Sequence, residues 1–298
     1  MHLLRLLRWS GFLLVLFLSG CISLPGDLGV ISVDDGRGEV SAPMDVYYYR
    51  PSSFKRDGPV LIVVHGLNRN AADYRHYFAE IAQLYGALIL APEFSRKNYR
   101  GSRRFNLGNL KNGSGDTLPR SVWSFPVIDR VFDQARVQLG FGQQRYYLFG
   151  HSAGSQFVHR MIIFAPSNKM ITAVAANAGW YTEPNFAIEF PYGLRDAPAD
   201  METLRRAFGR KLTILLGQGD NDETHKSLRR TDEANAQGPH RLARGRRFYQ
   251  QSKEVARSLE IPFLWRLKEV SGIAHSGRGM AGPAAEVFFG SVLGPIGK

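Results

Sequence analysis

A single cysteine, Cys21, serves a chain of 298 residues. No intrachain disulfide can form, so the fold must rest on its core. The chain has no H-E-x-x-H, no zinc-finger spacing of Cys and His, and no close His/carboxylate pair on an expected helix, which leaves no metal-site reading. Asp220-Asn221-Asp222 resembles the start of a calcium loop, but the twelve-residue ligand pattern with its late Glu is missing. Internal repeats and long low-complexity tracts are absent. The apolar run near the N-terminus, Trp9 to Leu18, is about ten residues, short of the roughly 17–25 that span a bilayer as a helix. Acidic side chains are in deficit, 26 against 38 basic ones, giving a formal charge of +12. That charge favours anionic surfaces such as acidic lipid or envelope polymers. Nucleic acid is not the expected partner, because no helix-turn-helix or finger pattern accompanies the charge. With 44% hydrophobic and 21% charged residues, the chain can build one large, well-buried α/β domain.

The informative stretch is "YYLFGHSAGSQFVHRM", Tyr146 to Met161. Tyr146 to Phe149 reads as a buried strand. Ser155 to Met161 reads as a helix with Phe157, Val158 and Met161 on one face. Between them Gly150-His151-Ser152-Ala153-Gly154 has the G-x-S-x-G spacing of a strand-turn-helix elbow. Such a turn lifts a serine hydroxyl clear of a sheet and strains its backbone, and the glycines let strand and helix approach closely. Serine is a poor nucleophile until a base takes its proton, so partners should follow.

Three further strand ends carry polar groups. "PVLIVVHGLNRN" is an apolar strand ending in His65-Gly66-Leu67-Asn68. "KLTILLGQGDND" ends at Gly217, with Asp220 and Asp222 just beyond. "FLWRLKEVSGIAHSG" gives a last strand and a loop bearing His275. In a parallel sheet the carboxyl ends of the strands share one edge, where ligands bind. Each of the two aspartates lies three residues after a glycine, so spacing leaves both open. Asp220 is preferred because Gly217 breaks an apolar strand, which sets it nearer the edge.

"HGLN", "GHSAG", "GQGD" and "GIAHSG" together resemble the α/β-hydrolase superfamily, in its serine esterase and lipase branch, over roughly residues 40 to 295. More loosely, "NAGWYT", "FPYGL" and "AQGPHRLARG" resemble bacterial secreted hydrolases of the polyhydroxybutyrate-depolymerase sort. The resemblance implies Ser152 as nucleophile, His275 as general base and acid, and Asp220 as the carboxylate orienting it. It implies an oxyanion hole from the N–H groups of Leu67 and Ala153, and no cofactor. His65 is expected to support the oxyanion loop by hydrogen bonding and His151 to pack beside the elbow. His225 and His240 are expected as surface or loop residues.

The N-terminus "MHLLRLLRWSGFLLVLFLSGC" has the layout of a secretory signal peptide, with Arg5 and Arg8 ahead of the apolar core. Leu18-Ser19-Gly20-Cys21 resembles the lipobox of bacterial lipoproteins. That resemblance implies cleavage before Cys21, lipidation of its thiol and, from Ile22, the outer membrane. The expected organisation is a signal peptide over 1–20, a Gly/Asp-rich tether over 21–39, and an α/β-hydrolase domain over 40–298 with a small cap insertion at about 181–210.

Within the domain the patterning predicts a mostly parallel sheet with helices on both faces. Strands are expected at Asp45–Pro51, Val60–Val64, the "GALILAPEF" segment, Met170–Trp180 and Phe263–Val270. Helices are expected at Ala71–Tyr85, Val122–Leu139, His240–Leu259 and Met280–Leu293. Trp180, Tyr181, Phe186, Phe190 and Tyr192 would form either an apolar wall for an acyl group or the cap's own core. Arg96, Lys97, Arg100, Arg103 and Arg104 form either a solvated basic loop or a contact for anionic lipid or an acidic substrate. The expected function is a membrane-anchored serine hydrolase of the cell envelope that cleaves carboxylic esters. The rivals are a peptidase or acyltransferase with the same triad, and a binding lipoprotein without turnover.

Overall fold

The computed structural model describes residues 26–290. The signal peptide, Cys21 and the last residues of the expected closing helix lie outside them. Eight strands form one sheet: β1 (Gly26–Asp34), β2 (Pro43–Pro51), β3 (Val60–Val64), β4 (Leu88–Pro92), β5 (Tyr146–His151), β6 (Met170–Ala176), β7 (Leu212–Gly217) and β8 (Trp265–Val270). Their order across the sheet is β1-β2-β4-β3-β5-β6-β7-β8. β2 pairs antiparallel with both β1 and β4, and β3 to β8 run parallel to one another.

The helices are α1 (Ala71–Tyr77), α2 (Ala79–Tyr85), α3 (Val127–Leu139), α4 (Ala153–Phe164), α5 (Met201–Phe208), α6 (Asp232–Ala236), α7 (Arg241–Ser258) and α8 (Ala281–Phe289). They cover both faces of the sheet. Along β3, Val60, Ile62 and Val64 point into one core with α3, α4, α5 and α7, while Leu61 and Val63 point into a second with α1, α2 and α8. A strand sends alternate side chains to opposite faces, so burial on both sides requires the uninterrupted apolar runs that mark β3, β4 and β7. Among the described residues, no helix is long and apolar enough to cross a membrane.

Several boundaries differ from expectation. Much of the tether is not a tether: Gly26–Asp34 is β1, paired along its whole length with β2. The expected helix over 71–85 breaks at Phe78, whose fully buried ring seats against Phe149 at 4.8 Å between centroids. The expected start of α3 moves to Val127, because Pro126 suits the entry of a helix and not its interior. The cap is smaller than expected. Its second half is α5, which buries Leu204, Ala207 and Phe208 in the main core as an ordinary crossover helix. Asp200 caps α5, accepting the Thr203 N–H at 2.8 Å.

Candidate active site

Ser152 sits between β5 and α4 at φ 57 and ψ −114, a strained conformation for a residue with a side chain. The flanking glycines explain how the turn is built. A Cβ on Gly150 would lie 2.3 Å from the Gly154 carbonyl oxygen, and one on Gly154 would lie 2.2 Å from that of Val64. The first turn of α4 therefore presses against β3 and β5, and it holds the serine at the carboxyl edge of the sheet.

Three expected residues meet there. His275 Nε2 lies 3.0 Å from Ser152 Oγ, and His275 Nδ1 lies 2.7 Å from Asp220 Oδ2. The carboxylate fixes the tautomer: Nδ1 carries the proton it donates to Asp220, which leaves Nε2 as acceptor for the serine hydroxyl. Asp222 is not brought in. It is exposed, and its Oδ1 accepts the Thr224 N–H and hydroxyl at 2.7 Å each. Those bonds hold its carboxyl below the usual range.

Ala153 opens α4, so its N–H has no acceptor within the helix. Leu67 lies in the turn after β3, half exposed at 50%. This turn adjoins the serine: a Cβ on Gly66 would be 3.6 Å from Ser152 Cβ. His65 braces it as expected. Its Nδ1 donates to the Gly66 carbonyl at 3.0 Å, and its Nε2 accepts the Phe94 N–H at 3.0 Å. Burial pushes this imidazole down to about 4, so it stays neutral. His151 is buried beside the elbow, its Nδ1 2.9 Å from the Tyr74 hydroxyl and its ring 4.7 Å from that of His275. Burial, with His275 and Arg241 nearby, holds it well below the usual imidazole range.

Four supporting residues were not found from the sequence. Arg69 in the turn after β3 is buried and donates to the carbonyls of Phe94, Tyr99 and Gly101, locking that turn to the long basic loop. Asn177, at φ 50, accepts the Gly217 N–H at 2.8 Å and donates to the Ala274 carbonyl at 3.1 Å. It thereby ties the ends of β6 and β7 to the residue before His275. Arg241, at the start of α7, reaches Asp220 Oδ1 at 3.2 Å. His225 was expected at the surface, yet its ring lies 5.6 Å from that of His275, and Arg241 donates to its Nδ1 at 3.2 Å. An asparagine directly after an apolar strand is a weak sequence signal for Asn177. The arginines carry no local signal, because their partners are distant in sequence. His240 caps α7, its Nδ1 accepting the Ala243 N–H at 3.2 Å.

Most of the aromatic group beyond β6 is spent on packing. Trp180 and Tyr192 lie 4.5 Å apart in a small cluster with Ala234, and Tyr181 stacks on Phe248 in the main core. Phe186 alone of the five is exposed, at 37%. In the basic loop Arg96, Lys97, Arg100 and Arg104 face solvent. Arg96 also donates to the Leu67 carbonyl at 3.2 Å, which connects this loop to the turn after β3.

No family model matches the chain. Solved structures do. A poly(aspartic acid) hydrolase from Sphingomonas sp. KT-1 is 40% identical, with 88% of this chain and 98% of that one covered at a TM-score of 0.82. LpqC, a poly(3-hydroxybutyrate) depolymerase from Bordetella parapertussis, is 34% identical, covering 90% and 91% at 0.84. A curated bifunctional acetylxylan esterase/xylanase from Neocallimastix patriciarum is 23% identical over 145 residues, 45% of this chain and 19% of that protein. The chain thus spans about a fifth of that relative's length. The first two likenesses extend over nearly whole chains and establish the family: the chain belongs to the α/β-hydrolases, on their serine ester hydrolase side.

Proposed function

We propose that Ser152, His275 and Asp220 form the triad of a carboxylic-ester hydrolase. The observation that carries this is the continuous hydrogen-bonded chain from Ser152 Oγ through both nitrogens of His275 to Asp220 Oδ2. Ser152 Oγ attacks the ester carbonyl as its proton passes to His275 Nε2. Charge gathers on the carbonyl oxygen, where the Ala153 and Leu67 N–H groups receive it. The tetrahedral intermediate collapses, the C–O bond to the alcohol breaks, and His275 returns the proton to the departing oxygen. A water molecule then gives its proton to Nε2 and attacks the acyl-serine, and collapse regenerates Ser152. The Asp220 carboxylate keeps the imidazole oriented and stabilises the imidazolium.

A second reading is cleavage of an amide bond in an acidic polymer. It is favoured by the 40% identity to a poly(aspartic acid) hydrolase together with the +12 charge. A panel of p-nitrophenyl esters of rising chain length, with poly(3-hydroxybutyrate) and poly(aspartic acid), separates the two. The ester reading falls if no ester turns over.

For location, we read Cys21 as a lipidated anchor of the cell envelope, probed by acyl mass spectrometry of the mature N-terminus. The exposed arginines and lysine of the long loop support a contact with anionic lipid or polymer, and liposome binding at graded salt tests it.

A further inference from the structure

Asp220 is 3% exposed and Arg241 2%, and the two form an ion pair at 3.2 Å. Among the described residues, the ion-pair partners of Asp220 are Arg241 and His275. His275 offers Asp220 a hydrogen bond through Nδ1, and Arg241 is the permanently charged group that pairs with this buried carboxylate. The same guanidinium reaches past Asp220, donating to Ser227 Oγ at 2.9 Å and His225 Nδ1 at 3.2 Å. The Ser227 N–H also donates to that nitrogen at 3.2 Å. Nδ1 of His225 is thus an acceptor, and its neutral ring carries its proton on Nε2. Helix α7 and the loop after β7 are joined to the triad through one side chain.

We propose that Arg241 is a positioning residue of the triad, keeping Asp220 aimed at His275 and fixing the His225 loop beside it. This rests on the triad assigned above. When His275 takes a proton in the reaction, imidazolium and guanidinium share one carboxylate, and removing Arg241 would leave that carboxylate to the imidazolium alone. The other groups facing His275 are Ser152, the neutral rings of His151 and His225, and Asp220 itself, with Tyr181 buried behind Asp220. None of them replaces that positive charge.

The test compares Arg241→Met and Arg241→Lys with the parent on one short-chain ester, with fluorophosphonate labelling used to count competent sites. Arg241→Met should lower kcat about 10- to 100-fold per labelled site, less than the ~10⁴-fold of losing the carboxylate. KM should change little, and the acid limb of the kcat/KM profile should move to higher pH. Arg241→Lys keeps the charge but not the fork, so it should leave the acid limb in place and recover part of kcat. The proposal is overturned if Arg241→Met keeps the parental profile. It is also overturned if both variants shift the limb equally, which a purely structural role would produce, or if Arg241→Met no longer labels while Arg241→Lys behaves as Arg241→Met does. Ser152→Ala, run alongside, separates the failures. If it retains activity, the triad reading falls and this proposal with it. If it is inactive while Arg241→Met is parental, only the role of Arg241 falls.

Discussion

Asp220 accepts the His275 Nδ1 proton across 2.7 Å from a position that is 3% exposed. Two residues on, Asp222 faces water and spends its carboxylate on Thr224. Spacing from a glycine could not separate these two aspartates. The strand separates them, because β7 ends at Gly217 and Asp220 turns back over that end, its N–H donating to the Gly217 carbonyl at 3.0 Å.

Asp220→Asn should therefore lower kcat by about 10⁴, the loss that follows when the orienting carboxylate of a serine protease triad is neutralised. Asp222→Asn removes a charge in an exposed turn, where the amide Oδ1 can still accept from Thr224, and should stay within about threefold. Steady-state kinetics of both on one ester decide it, and a larger loss in Asp222→Asn would reverse the assignment.

Ser152→Ala should fold normally and lose several orders of magnitude in kcat, with residual turnover from the oxyanion N–H groups alone. A fluorophosphonate should label the parent at Ser152. Labelling at Ser114, in the Gly-Ser-Gly of the exposed loop, would refute the nucleophile.

The catalytic edge was legible because its parts are local: an apolar run fixes each strand, and a glycine pair or a break fixes its end. What escaped was held by long-range or backbone interactions. β1 is glycine- and aspartate-rich with few buried side chains, so its composition reads as a turn-rich linker. Its pairing depends on backbone groups, and Gly29 is used where a Cβ would strike the Tyr48 ring at 2.6 Å. Arg241 binds Asp220 across 21 residues from a helix whose periodicity reveals nothing about it. Helix α5 falls inside the expected cap because the aromatic residues before it dominate the segment.

The elbow itself can be tested by adding one methyl group. Gly154→Ala places a Cβ 2.2 Å from the Val64 carbonyl and 2.7 Å from that of His65, neither of which can yield without moving β3. Overpacking of this kind costs about 1–3 kcal/mol. The Ala153 N–H and Ser152 ride on the same turn, so kcat should fall more than about tenfold while the melting temperature drops by several degrees. A variant with parental kcat would show that the close approach is dispensable.

Stability should decline on acidification before the carboxylates titrate. Burial holds His65 at about 4, against an ordinary 6.5 in the unfolded chain. Burial moves His151 and His159 in the same direction. The unfolded state then binds protons that the folded state refuses, so this stability is complete above about pH 6.5 and drains as the pH falls toward 4. For His65 alone the gap corresponds to roughly 3 kcal/mol. Melting temperatures measured from pH 7.5 to 4.5 should fall steadily. His65→Gln, which takes up no proton in this range, should melt lower at pH 7.5 but with a shallower fall. Parallel curves would remove His65 from the account.

The anchor proposed at Cys21 would enter the domain through β1. β1 starts at Gly26 opposite Pro51 and ends at Asp34 opposite Pro43, while Val46 of β2 pairs with Pro92 at the carboxyl end of β4. Gly26 therefore lies at the sheet edge away from Ser152, and Cys21 precedes it by five residues. Five residues reach at most about 18 Å, whereas the nine of β1 rise about 30 Å from that edge toward the catalytic one. If Cys21 is the anchor, the catalytic edge and the basic loop bonded to it through Arg96 face away from the anchoring bilayer, so the anionic partner of that loop would be an envelope polymer or an apposed membrane. The protein made in a Gram-negative host should accordingly fractionate with membranes, and Cys21→Ser should release it or leave it unprocessed. On a water-soluble ester the lipidated and lipid-free forms should agree in kcat/KM within about twofold, since the site stands clear of the surface and diffusion to it is unhindered. Rapid hydrolysis of an ester probe confined to the anchoring vesicle, well above its rate in separate vesicles, would contradict this orientation. A soluble mature chain beginning elsewhere would instead refute the anchor.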